Sequence, residues 1–106
     1  MQALSEQVSV AGQIELAHLQ QLKDQGFSTV LCHRPDAENP PELQHQHFVT
    51  EAKRLGMSFY YLPITPGVFP PETVAEVKAI LVKAPGKVFG YCASGRRAAT
   101  VWEMAR

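Results

Sequence analysis

Apolar runs of strand length alternate with apolar stripes of helical period along the whole chain, and this alternation restricts the fold more than any other feature. Residues 7–10, 28–32, 57–62 and 87–91 read as strands, and the unbroken apolar run of 28–32 points to burial on both faces. Residues 14–24, 42–55, 71–83 and 97–106 read as helices. Their stripes are Ile14, Leu16, Leu19 and Leu22, then Leu43, Val49, Ala52 and Leu55. Val74, Val77, Ile80 and Leu81 form the third, and Ala98, Val101, Trp102 and Ala105 the fourth. Gly26, Gly56 and Gly86 sit where helices stop, and Pro71 suits a first turn. The expected fold is α/β, one domain over residues 1–106, with a parallel sheet of about four strands, right-handed crossovers and helices on both faces.

Sheets of this kind bind ligands beyond the carboxyl ends of their strands. Three loops leave that edge, residues 33–41, 63–70 and 92–97, and they hold the most unusual residues of the chain. The bulk numbers narrow what binds there. A chain of 106 residues, 45% hydrophobic, suffices for one small core. Ten basic and ten acidic residues give zero formal net charge, which argues against nucleic acid or an anionic membrane as partner. No membrane span or secretory signal is legible. The two cysteines do not make a disulfide scaffold, so the cytoplasm is the expected compartment.

The 92–97 loop carries the chemistry. It reads Cys92-Ala93-Ser94-Gly95-Arg96-Arg97 between a strand and a helix. Backbone N–H groups at such a junction have no intrahelical partner and can face an anion. Gly95 permits a conformation that a Cβ would penalise. A cysteine at the positive end of a helix dipole, near two guanidinium groups, favours the thiolate. Arg97 offers a planar fork to two oxygens of an oxyanion. Nucleophile, amide cradle and arginine together make a covalent group-transfer site that needs no metal or cofactor.

The chain resembles the beta-lactamase-hydrolase-like phosphatase-like domain family, also called DUF442. The matching segments are Val8-Ser9-Val10-Ala11-Gly12-Gln13, Gln25-Gly26-Phe27, Arg34-Pro35-Asp36-Ala37-Glu38, Leu55-Gly56-Met57, Leu62-Pro63-Ile64-Thr65-Pro66-Gly67, and Tyr91 through Arg97. The resemblance implies the dual-specificity protein phosphatase fold. It also implies a link with sulfide detoxification and rhodanese-like sulfur transfer in some members or fused domains. Three positions depart from the family pattern: Tyr91 stands for His, Ala93 for Arg and Ala98 for Ser.

Three features separate phosphate from sulfur chemistry. Four residues lie between Cys92 and Arg97, the shorter spacing of rhodanese-like loops, whereas cysteine-dependent phosphatases have five. The 63–70 loop, where related phosphatases carry their general-acid Asp, contains no acid, and Thr65 is a poor substitute. Ala98 lacks the hydroxyl that helps expel the cysteine. The expectation is therefore a sulfurtransferase. Cys92 would take sulfane sulfur from thiosulfate or glutathione persulfide, become a persulfide and pass that sulfur to a thiol acceptor or cyanide, alone or beside a fused sulfide-oxidation enzyme. The alternatives are a phosphatase acting on a phosphorylated substrate and a non-catalytic anion-binding module.

Asp36 and Glu38 lie on a neighbouring loop. Asp36 is the candidate acid, against a structural role in which the two carboxylates cap the loop or bond Arg34. Cys32 is a candidate resolving thiol, against a packed strand end. His33, Arg34 and Thr65 are candidate pocket residues. His45 and His47 point to different faces of a helix, and no metal-ligand cluster is legible.

Overall fold

The computed structural model describes all 106 residues. Five strands form one sheet: β1 (Gln2–Ala3), β2 (Val8–Ala11), β3 (Phe27–Cys32), β4 (Ser58–Tyr61) and β5 (Lys87–Tyr91). Their spatial order is β1-β2-β5-β3-β4. The expected four strands are parallel; β1 adds a fifth, antiparallel to β2 at the edge. It escapes a sequence reading because two exposed residues carry no alternation.

Side-chain alternation splits the core in two. On one face, Val8, Val10, Leu31 and Val88 pack under α3 (Pro71–Lys83) and α4 (Arg96–Ala105). On the other, Phe27, Val30, Phe89 and Tyr91 pack under α1 (His18–Asp24) and α2 (His45–Arg54). Gly90 falls on the α4 face. A Cβ there would stand 3.5 Å from the Ala98 methyl, so the glycine lets α4 lie close to the sheet.

Two helices begin later than their stripes suggest. Ile14 is buried but lies outside α1, and Leu16 is 39% exposed. The Glu15 N–H donates to Nδ1 of His18, closing a turn before the helix starts. Before α2, prolines impose short 3-10 turns at Asp36–Glu38 and Pro41–Leu43, and Gln44 is extended. The buried stripe of α2 is then Phe48, Ala52 and Leu55 just past its end, rather than one running through Leu43 and Val49. Phe48 is fully buried against Phe59 and Tyr91. β4, at the far edge, leaves Ser58 and Tyr60 exposed.

The register positions the site. Ala11, Tyr91, Cys32 and Tyr61 end their strands in one row across the sheet. Gly12, Cys92, His33 and Leu62 therefore leave the carboxyl edge side by side. Because Phe48 joins α2 to the strand that ends at Tyr91, Phe48→Ala should cost about 3–5 kcal/mol of stability, read by chemical denaturation. A loss below about 1 kcal/mol would mean that this face is not the packed core described.

Candidate active site

Period-two alternation puts Cys92 and His33 on the α3/α4 face, and Tyr91 and Cys32 on the other. Cys92 follows β5 directly. Its N–H donates to the Ala11 carbonyl at 3.3 Å, and its Sγ accepts the Gly95 N–H at 3.1 Å. Gly95 has φ +92°, and a Cβ on it would meet the Ala11 backbone at 3.2–3.3 Å. Gly12 is equally constrained, since a Cβ there would stand 2.8 Å from the Ala93 carbonyl oxygen. The loop is thus pressed onto the end of β2 by two glycines, and Gly12 is a site residue that spacing within the loop does not reveal. Ala93 and Ser94 are exposed at the tip, while Ser94 Oγ accepts the Arg96 N–H at 3.3 Å.

Arg97 is bracketed. Its Nη1 donates to Glu38 Oε2 at 2.9 Å and to the Ile64 carbonyl at 2.7 Å; its Nη2 donates to Glu38 Oε1 at 2.8 Å. Three of the five guanidinium N–H groups are committed. Nε–H and one Nη2–H remain, and together they form one flat edge that suits two oxygens of an anion. Glu38 also meets Arg34, whose Nε lies 3.5 Å from Oε1 and whose Nη2 donates to the Glu38 carbonyl. The hydrogen bond from Arg97, above all, holds the Glu38 carboxyl below the usual range, and Glu38 in turn raises Arg97. Both are charged at neutral pH.

Asp36 is placed differently. Its Oδ1 accepts the His45 N–H at 2.9 Å and its Oδ2 lies 2.7 Å from His45 Nδ1, so it caps α2 from nine residues away. The His45 ring stacks on Tyr61 at 3.7 Å. The carboxylate joined to Arg97 is Glu38, and Asp36 is joined to a helix end. Thr65 is exposed, and its carbonyl accepts the Val68 N–H in a turn of the 63–70 loop. Arg34 reaches Gln13 Oε1 at 3.3 Å, and Asn39 bonds the same oxygen, so the 33–41 loop is tied to the residue after Gly12.

Cys32 is buried in the α1/α2 core, where its thiol donates to the Arg34 carbonyl at 3.5 Å. Burial pushes that thiol up, which disfavours its thiolate. Cys92 belongs to the opposite face, and side chains that diverge across a sheet cannot bridge without backbone movement. The arrangement gives the resolving role no support. Tyr91, beside Cys32, is fully buried with an unpartnered hydroxyl, and burial raises it far above its ordinary range.

His33 is 1% exposed, and its Nδ1 donates to the Leu62 carbonyl at 2.9 Å, which fixes the proton on that nitrogen. Its backbone accepts the Ile64 N–H at 2.9 Å. His33 therefore holds the segment whose Ile64 carbonyl fixes Arg97. Burial lowers its pKa to about 4. The unfolded chain takes up a proton near pH 6.5 that the folded chain refuses until about pH 4. Stability is therefore complete above the unfolded value and lost as pH falls. The expected loss between pH 7.5 and 4.5 is about 2–3 kcal/mol, measured by urea denaturation, and His33→Asn should flatten it. An equal slope in both proteins would refute the assignment.

A second outcome concerns the bracket. In a Cys92→Ser background, Glu38→Gln should weaken inorganic phosphate binding about tenfold by calorimetry, because the Arg97 edge is no longer aimed. Unchanged or tighter binding would mean that Glu38 competes with the anion rather than orienting its partner.

Comparison with known proteins places this geometry. A family model described as the beta-lactamase hydrolase-like protein, phosphatase-like domain, matches residues 1–106. A beta-lactamase hydrolase-like protein of Agrobacterium fabrum is 30% identical over 104 residues, covering 95% of this chain and 23% of that protein. The chain thus spans about a quarter of the curated relative it matches. A crystal structure of a candidate phosphatase from Neisseria meningitidis superposes with a TM-score of 0.83 at 24% identity, covering 95% of this chain and 72% of that one. Another, a DUF442 candidate phosphatase from Shewanella putrefaciens, gives 0.81 at 20% identity, covering 99% and 65%. The fold is that of the phosphatases. These matches overturn the expectation of a sulfurtransferase, because the family and its structural neighbours are phosphatase-like. Loop length alone does not separate the two chemistries, and the loop also packs on Ala11 and Gly12, contacts that a count of its residues does not report. The chain belongs to the beta-lactamase hydrolase-like protein, phosphatase-like domain, family.

Proposed function

We propose that this segment is a cysteine-dependent phosphatase-like hydrolase acting on a phosphomonoester. The observation that carries the reading is that Cys92 neighbours Arg97 at the opening of α4, where Glu38 and the Ile64 carbonyl take three of the five guanidinium N–H groups and leave one edge free. That edge and the loop amides neutralise three phosphoryl oxygens while the thiolate attacks. A P–S bond forms and the ester P–O bond breaks. Water then attacks phosphorus, the P–S bond breaks, inorganic phosphate departs and the Cys92 thiolate returns. Cys92 has no exposed surface, so attack requires the rim around it to part.

No acid lies in the 63–70 loop, and Glu38 and Asp36 are held by Arg97 and His45. The leaving oxygen accordingly takes its proton from water, and esters of acidic alcohols react best. Ala98, buried at 2%, offers no hydroxyl to the second step. No helix is long and apolar enough to cross a membrane. The two free thiols favour a cytoplasmic location.

The test is hydrolysis of aryl phosphates. Release of nitrophenolate from p-nitrophenyl phosphate should show a burst close to one per active site, abolished in Cys92→Ser. Phenyl phosphate should turn over about 100-fold more slowly, since a positioned acid supplies at least that factor where it exists. Equal rates for the two esters would disprove acid-free cleavage, and activity that survives Cys92→Ser would disprove the nucleophile.

A further inference from the structure

The chain has five arginines, at positions 34, 54, 96, 97 and 106. Four are paired with carboxylates: Arg34 and Arg97 with Glu38, Arg54 with Glu51, and Arg106 with Glu103. Arg96 is exposed, and its side chain makes neither an ion pair nor a hydrogen bond. It projects beside the nucleophile loop from the first residue of α4.

The surroundings of Arg96 give this free charge a direction. A cleft of about 470 Å³ runs from the loop along α4. Pro66, Gly67 and Phe69 form one wall; Ser94, Arg96, Arg97 and Thr100 form the other. It holds two guanidinium groups, two hydroxyls and one aromatic ring, with no carboxylate. Glu38, which bonds the Arg97 of this cleft, is committed to Arg97 and Arg34. Arg96 also borders a cleft of about 590 Å³ on the β1 side, but Arg97 is absent from that one. An anion in the first cleft lies within the site that holds Arg97; an anion in the second does not.

We propose that the substrate is a small phosphomonoester carrying a second anionic group, with Arg96 binding that group while Arg97 binds the reacting phosphoryl. The inference rests on the phosphatase reading above and names the substrate class for that site. An unpaired guanidinium in a cleft without carboxylates is an anion receptor by charge and by hydrogen-bond geometry. The cleft has the volume of small-molecule pockets. Phe69 gives an apolar wall to the part of the molecule between the two charges. Arg96 is thereby a specificity residue.

The test uses two ligands that differ by one phosphate, hexyl phosphate and hexane-1,6-diol bisphosphate. Their flexible spacer leaves the charge separation free to adjust. Binding is measured by calorimetry on Cys92→Ser and on Cys92→Ser with Arg96→Gln. The first protein should prefer the bisphosphate about tenfold, well beyond the twofold statistical advantage of two equivalent ends. Arg96→Gln should reduce the preference to about twofold and leave hexyl phosphate binding within about twofold. Lys53→Gln, which removes an exposed charge on α2, should leave the preference intact. A preference that survives Arg96→Gln, a preference lost equally with Lys53→Gln, or no preference at all overturns the inference. Hydrolysis of p-nitrophenyl phosphate by the parent protein reports separately on the phosphatase reading. Its failure with the binding preference intact would leave Arg96 as an anion receptor and remove the hydrolase.

Discussion

The guanidinium of Arg97 ties the three rim loops together. It rises from the first turn of α4, takes both oxygens of Glu38 from the 33–41 loop, and bonds the Ile64 carbonyl of the 63–70 loop. Its side chain is 11% exposed and that of Glu38 28%, so these bonds are partly shielded from water and leaving them unmade has a cost. Everything that shapes the site then has to hold one of the three partners. His33 holds Ile64, Arg34 and Gln13 hold the Glu38 segment, and Ala11 with Gly12 holds the loop before Arg97. The strand register brings these residues to one edge, and the arginine closes the ring.

The same bracket decides which part of Arg97 meets a ligand. Glu38 could be read as blocking the fork, because carboxylate and phosphate seek the same geometry. The donor inventory argues otherwise: Glu38 and Ile64 occupy Nη1 fully and half of Nη2, and the remaining edge is intact. A carboxylate held ionised by Arg97 also leaves that guanidinium part-neutralised, which sets the second, unpaired arginine at position 96 apart from it.

Local signals carried far in the sequence. α3 and β5 occupy the residues their patterns predict, because Pro71 and the apolar stripe act within a few residues of the elements they define. Cys92 and Gly95 lie in contact in the loop between β5 and α4, and Arg97 lies in the first turn of α4, in the order the sequence reads. What sequence reasoning missed acts over distance. Glu38 and Arg97 are 59 residues apart, and Asp36 caps α2 from nine residues before it. Asp36 was the candidate acid because its loop neighbours the acid-free 63–70 loop, yet its geometry is that of a cap. Gly12 matters only because the Ala93 carbonyl lies against it, a contact no local pattern reports. The choice between sulfur and phosphate failed because it leaned on a residue count within one loop, whereas the family and the matching folds are phosphatase-like.

The central claim is that Cys92 itself takes the phosphoryl group. Acid-quenching the protein during turnover of p-nitrophenyl phosphate and mapping the trapped label by peptide mass spectrometry tests it directly. The account predicts one phosphoryl group on the peptide bearing Cys92. Phosphate release with no label on that peptide, or with the label on another residue, would contradict it.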